Sequence, residues 1–442
     1  MELAARLALL ALLAYGVACV CGTSRAHADP RYGDSSWVAP AEMFGSDSTI
    51  DRPRVAPPDH ERRWETVLRT PFRIVFFPLR LVAKGLEAGA NYVGPRYFEP
   101  KPMLPPRTGF ALGTNFTFGA VKDVGFGPSI TWAGFPTADA RMKLAGSWST
   151  IDRRQVNFSE VIGERRAVGL RVAADYDQKP NRRYFGIGNS TPVTDRSHFL
   201  LESSSADAAL HVGSSPLRQL RFIGGYSSMS ARRGYKSQPL LEDLFTPASA
   251  PYEHRTTQEL WYGVAGDLAA LDDDRDPSLG VHGRVNVQRA TGLRSSDPDY
   301  YQWSVEGRAY LPVFAKRRVI AVRSVYAGVE PSGGTTILPY YRLAQSQGDF
   351  RFAGFESERF RDRQLMLGRI EYRWEIINRM SAVALYELGE VAPRAGSFSL
   401  REAHASYGGG LRLGMRDETS IRFEVAKSVE GLNTNLMIGC DF

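Results

Sequence analysis

Between Gln364 and Glu375 the chain alternates strictly, with Met366, Gly368, Ile370, Tyr372 and Trp374 on one parity and Arg369, Glu371, Arg373 and Glu375 on the other. A strand places successive side chains on opposite faces. The segment therefore predicts a strand with one apolar, aromatic face and one face of alternating charge. A soluble sandwich does not bury four successive charges on its inner face, whereas a barrel with lipid outside and water or polar protein inside requires this arrangement. The same period recurs along the chain. Val168, Leu170, Val172, Ala174 and Tyr176 oppose Arg171, Asp175 and Asp177, and Tyr301, Trp303, Val305, Ala309 and Leu311 oppose Gln302, Ser304, Glu306 and Arg308. Val281, Val285 and Val287 oppose His282, Arg284, Asn286 and Gln288.

Counting such runs predicts sixteen strands, at 109–120, 125–135, 140–151, 154–162, 166–177, 197–212, 217–230, 256–270, 280–291, 300–314, 318–330, 363–376, 380–391, 406–416, 420–429 and 435–442. Short connections (136–140, 163–165, 315–317, 377–379, 417–419) alternate with a set that includes the long 178–196, 231–255 and 331–362. Short periplasmic turns and longer outside loops are the habit of outer-membrane barrels, and an even strand count returns the chain to its starting side. The predicted fold class is all-β: a 16-stranded antiparallel transmembrane β-barrel over 107–442, with a short N-terminal helical or disordered periplasmic extension.

The extension divides by composition. Residues 1–28 read as a signal peptide, in which Arg6 precedes an apolar run and Ala26-His27-Ala28 supplies a small-x-small cleavage site. Residues 29–106 hold 12 of the 26 prolines; 29–63 predict a disordered periplasmic tether and 64–106 an amphipathic helical segment. In the latter, Leu79, Val82, Ala83, Leu86, Ala90 and Val93 fall at helical spacing, and 64–93 is a candidate contact for a periplasmic or outer-membrane protein partner, for the membrane surface, or for the barrel rim. Export without a second apolar helix, followed by alternating strands, predicts the bacterial outer membrane and contact with its lipid. At the other end, Leu436, Ile438, Cys440 and Phe442 share one parity, resembling the C-terminal signal through which the barrel assembly machinery recognises its clients.

Charge and candidate chemistry change this picture little. Removing Glu2, Arg6 and Arg25 with the signal lowers the net charge from +7 to +6, a mild excess that does not point to nucleic acid. Cys440 alone would remain, so no intrachain disulfide forms. No G-x-S-x-G, H-E-x-x-H, P-loop or paired-cysteine motif is present, and the chain is not expected to be an enzyme or to carry a cofactor. His60, His198, His211, His254, His282 and His404 are dispersed and read as loop or lumen residues rather than metal ligands. Asp272 to Asp276 lacks the glycine and glutamate spacing of a calcium loop and predicts a tight periplasmic turn.

Gly348-Asp349-Phe350-Arg351-Phe352-Ala353-Gly354-Phe355, with Arg359-Phe360-Arg361-Asp362 and Glu371-Tyr372-Arg373, resembles the sixth extracellular loop and twelfth strand of the BamA/TamA superfamily, the bacterial surface antigen barrels. Asp274 to Gly280 resembles the turn before the ninth strand, Leu385 to Gly389 the thirteenth strand, and Tyr184 to Asn189 a loop of members that lack POTRA domains. The resemblance implies a loop folded into the lumen, its tip arginine paired with acidic residues of the wall. In the tip, Arg351 to Phe355, that arginine position is Ala353; Arg351 shares its parity and is the expected substitute, reaching Glu387 or Glu371 among the candidate lumen partners Arg369, Glu371, Arg373 and Glu387. Residues 29–106 are too short of strands and helices for a POTRA domain. The implied activity is insertion, translocation or anchoring of a protein or lipid partner, with a passive small-solute channel or a structural anchor as alternatives.

Overall fold

The computed structural model describes residues 109–438 apart from 119–123, 164–165, 235–238, 275, 314, 378–379 and 415–419. The segments 1–28, 29–63 and 64–106, and the residues Cys440 and Phe442, lie outside the described residues. Among the described residues sixteen strands form one sheet in which each barrel strand pairs with the next along the chain. They are β1 (Gly109–Phe118), β2 (Val124–Ala133), β3 (Ala140–Ser149), β4 (Arg154–Ile162), β5 (Val168–Tyr184), β6 (Ser197–Ser215), β7 (Arg218–Arg233), β8 (Thr256–Leu271), β9 (Gly280–Gly292), β10 (Asp299–Val313) and β11 (Ala315–Ser332). After the small β12 (Ala344–Gln345) and β13 (Arg361–Asp362), which pair with each other, come β14 (Gln364–Ile377), β15 (Met380–Ala392), β16 (His404–Gly414), β17 (Ser420–Ser428) and β18 (Gly431–Ile438).

Each predicted run coincides with one barrel strand. The largest shift is at β5, which runs seven residues past the predicted 177 to Tyr184 because it stays paired with β6, and β18 begins four residues before the predicted 435 because Val429 and Glu430 form a two-residue turn and Ser428 pairs with Gly431. Asp272 makes the turn before β9: its carboxylate accepts the backbone N–H of Ser278 and of Leu279, each at 2.9 Å.

The sheet is inverted relative to a soluble protein. Ile370 is 51% exposed at the centre of β14, whereas its neighbours Arg369 and Glu371 are 7% and 0% exposed. Phe110, Leu112, Phe126, Trp148, Leu260 and Leu436 likewise point outwards from other strands. Lipid offers no partners to backbone amides, so the strands must satisfy one another and the polar side chains must turn inwards.

The wall has uneven height. Among the described residues β1 to β4 are 9 or 10 residues long, close to one bilayer crossing, and β17 and β18 have 9 and 8. β5 to β11 span 13 to 19 residues and project further at the long-loop end. There Tyr184, Phe199, Leu201, Leu241, Tyr340 and Tyr341 form a buried cluster beneath the helical turn α1 (Leu241–Leu244). A second cluster, Val325, Phe352, Phe355, Phe360, Leu365, Leu367 and Val391, joins the β11–β14 connection to the wall.

This sidedness makes a substitution that an aqueous surface would tolerate costly. Ile370→Arg should lower the unfolding free energy in lipid vesicles by about 2–4 kcal/mol, read from urea titration monitored by tryptophan fluorescence. A loss under about 0.5 kcal/mol, the range of ordinary surface substitutions, would mean that Ile370 faces water.

Candidate functional site

Residues two apart on a strand share a face, and β14 and β17 use that spacing to carry Arg369-Glu371-Arg373 and Arg422-Glu424 on the inner wall. Arg369 donates from Nε to Glu371 at 2.6 Å, from Nη1 to Glu387 of β15 at 2.7 Å, and from Nη2 to Glu424. Glu371 also accepts Arg373 Nε at 2.9 Å and Arg422 Nη2, and Arg422 Nε donates to Glu424. Three guanidinium groups thus face three carboxylates, all between 0% and 7% exposed. A lone ion at this depth would be strongly unfavourable; a charge-neutral, multiply bonded set offsets the desolvation of each member.

The tip of the β11–β14 connection docks on this lattice. Ala353 N donates to Glu387 Oε2 at 2.6 Å, and Ser406 Oγ donates to the same oxygen at 2.8 Å. Ala353 O accepts Asn433 Nδ2 at 2.9 Å and Asn435 Nδ2 at 2.8 Å from β18, and Phe355 O accepts Asn433 Nδ2 at 2.8 Å. Phe352 lies over Gly389, where any Cβ would fall inside the ring's van der Waals envelope, and Gly354 sits as closely on Ser406. Phe355 meets Phe360 edge-on at 5.0 Å between centroids, and His404 stacks on Phe360 at 4.1 Å.

Arg351 does not take the place of the missing tip arginine. Its Nη2 lies 2.6 Å from Met437 Sδ on β18, while the charges of Glu387 and Glu371 are met by Arg369, Arg373 and Arg422. The parity argument fails because the tip is not extended. Gly348–Phe350 is a 3-10 turn, and Phe355 N bonds back to Phe352 O at 3.2 Å. Ala353 itself packs with Leu385 and Ala426, so the cation the loop lacks is supplied from the wall, by Arg369.

Farther from the tip, residues that sequence reasoning left without a role hold the loop's stem. Arg359, 4% exposed, donates from Nε to Glu430 at 2.7 Å and from Nη1 to Thr191 Oγ1 at 2.7 Å, and lies over the rings of Phe185 and Phe360. Arg361, 1% exposed, donates to the carbonyls of Tyr340 and Arg183 at 3.2 and 3.0 Å. Gly188 N donates to Arg361 O at 2.9 Å, and His404 Nε2 lies 2.8 Å from Asn189 O, so the Tyr184–Asn189 segment bridges the stem and β16. Arg342 bonds Ser227 at 2.8 Å and pairs with Glu259. Two further inner-wall clusters, Asp267 with Arg221 and Arg284, and Glu306 with Arg308 and Arg323, continue the pattern across β7 to β11.

Of the remaining sequence-derived positions, Leu436 faces outwards and Ile438 ends β18. Arg422 and Glu424 were legible only as an alternating pair, since their partners lie more than fifty residues away on β14.

Comparison with known proteins adds the following. The model of the Omp85 superfamily domain matches residues 142–434. BamA from Haemophilus ducreyi lacking POTRA domains 1–3 is similar at 16% identity and a TM-score of 0.56, over 75% of this chain and 69% of that one. CdiB from Acinetobacter baumannii has 13% identity and a TM-score of 0.45, over 74% and 58%. CdiB from Escherichia coli has 12% identity and a TM-score of 0.43, over 74% and 61%. No curated protein matches the chain.

If Arg369 is the pivot of the lattice, Arg369→Ala leaves buried carboxylates short of a cation and should cost about 3–5 kcal/mol of unfolding free energy. Arg351→Ala should cost about 1 kcal/mol or less, and a reversed order in urea titrations would return the role to the loop. Docking of the tip is tested separately by Gly389→Val, which should expose the loop to trypsin in the folded barrel. Gly396→Val, placed where a side chain meets open space, should leave the digestion pattern unchanged.

Proposed function

The chain belongs to the Omp85 superfamily, and from that premise we propose that it assists the insertion or translocation of a polypeptide at the outer membrane, working at the edge where β1 and β18 end the strand order. The observation that carries this reading is the distribution of strand length. Among the described residues, strands of 8 to 10 residues flank that edge, whereas the far wall runs to 19. A short ladder has fewer hydrogen bonds to part, and a sheet edge offers unpaired backbone groups to an incoming strand. The loop tip bears on the same place, since Asn433, Asn435 and Met437 of β18 all contact it from inside.

In this mechanism the lattice keeps the wall of β14, β15 and β17 rigid, and β18 is the moving part, gripped by the loop through carbonyl oxygens that re-form easily. No covalent step is involved. The segment 29–63 would act as a tether, and 64–106 as a helical contact with a periplasmic or outer-membrane protein, in place of POTRA domains. The docked loop counts against the alternative of a passive channel for small solutes, and the paired Asn433 and Asn435 count against a barrel that serves only as an anchor.

The test uses cysteine pairs between positions 110–114 of β1 and 431–435 of β18 in a Cys440→Ser background. Reduced protein in phosphatidylethanolamine–phosphatidylglycerol liposomes should speed the folding of a denatured eight-stranded barrel several-fold over empty liposomes. The oxidised, tethered form should fall to the rate of empty liposomes while its own heat-modifiable mobility on gels is retained. Equal acceleration in both forms, or steady single-channel conductance with no acceleration, sinks the proposal.

A further inference from the structure

The connection between β7 and β8 folds back so that Glu242 of α1 meets Glu253 and His254 near the start of β8, and the candidate ligand atoms of the three residues lie within 4.8 Å of one another. Glu253 is the informative member. Its side chain is 10% exposed, and its Oε1, shielded from solvent, accepts no hydrogen bond. That oxygen lies 3.4 Å from His254 Nε2. A buried carboxylate oxygen without a hydrogen bond is costly to keep. Two ligands bound at about 2.1 Å to one tetrahedral ion stand about 3.4 Å apart, the separation seen here.

Local backbone and electrostatics fit a cation as well. Tyr252 and His254 flank Glu253 with φ of 69° and 55°, both in the left-handed region. Burial raises the Glu253 carboxyl above the ordinary glutamate range; His254 partly offsets this and Glu242 adds to it. Arg233 Nε lies 3.3 Å from Glu242 Oε1, but the Arg233 side chain is 61% exposed and free to swing aside.

From this geometry we infer that Glu242, Glu253 and His254 form a binding site for one divalent transition-metal ion of the zinc class. Two carboxylates and one imidazole suit zinc, with water completing the tetrahedron, whereas calcium needs six or more oxygens and takes no imidazole. The ion would tie α1 to the 250–254 turn. Leu241, Ala250, Phe245 and Tyr252 from these two pieces pack with Tyr184 and Tyr340, so the bound metal would fasten the cap over the long-loop end of β5 to β8.

The experiment titrates zinc chloride into the full chain, purified in detergent without a histidine tag and stripped with chelator, by isothermal calorimetry. The folded protein should take up one equivalent saturably. Glu253→Gln and His254→Ala should each weaken binding at least ten-fold, His211→Ala should leave it unchanged, and Arg233→Ala, by freeing Glu242, should hold or strengthen it. Heat-modifiable gel mobility shows that each variant is folded, and His254, 52% exposed, can be replaced without disturbing the core. Absence of saturable uptake by the folded wild type, or undiminished affinity in both Glu253→Gln and His254→Ala, overturns the assignment.

Discussion

Arg369 lies among three carboxylates, Glu371, Glu387 and Glu424, drawn from three strands that are not all neighbours. At the level of β14, β15 and β17 around Arg369 the interior is not held together as a soluble core is, because the apolar side chains there face lipid and the buried apolar clusters lie nearer the long-loop end. What remains for the inside is hydrogen bonding and charge, and these tolerate burial only when donors and acceptors balance. Arg373 and Arg422 restore that balance. The loop then docks on a wall that is already neutral, contributing a backbone N–H to Glu387 rather than a charge of its own.

This division of labour explains why an alanine is tolerated at the tip. An arginine arriving from a loop must be positioned by the whole loop, whereas one projecting from β14 is positioned by the ladder on both sides, with Arg323 of β11 and Glu387 of β15 as its register partners. The loop's placement is then left to shape. Phe352 fills the hollow above Gly389, and Phe355 and Phe360 close over it with His404. The stem is fixed separately, by Arg359 and Arg361 buried among aromatic rings and carbonyl groups.

Strand number, order and sidedness were legible in the sequence because a two-residue period with lipid on one face leaves a strong trace. The member residues Arg369, Glu371 and Arg373 were legible for the same reason, and Glu387 through the resemblance of Leu385 to Gly389 to a strand of the family. Their complement was not. Arg422 and Glu424 show the right parity on β17, but nothing local tells which distant carboxylate or guanidinium they meet across the lumen. Arg351 illustrates the opposite failure, in which parity was carried into a segment whose backbone turns. His254 was set aside because, although Glu253 directly precedes it, Glu242 lies twelve residues earlier in α1, a grouping made by chain reversal rather than by spacing.

The grip of Asn433 and Asn435 on the carbonyl groups of the loop tip bears on how the last strand finds its place. Because side chains alternate, a slip of one residue in β18 would turn Leu432 and Leu436 into the lumen and both asparagines into lipid. Ladder hydrogen bonds alone barely distinguish such a slipped pairing from the correct one, since any backbone can make them. A tip already seated on Glu387 can discriminate, because only the correct register brings two amides to its two carbonyl oxygens. The docked loop thus adds side-chain contacts that only the observed register of the final strand satisfies.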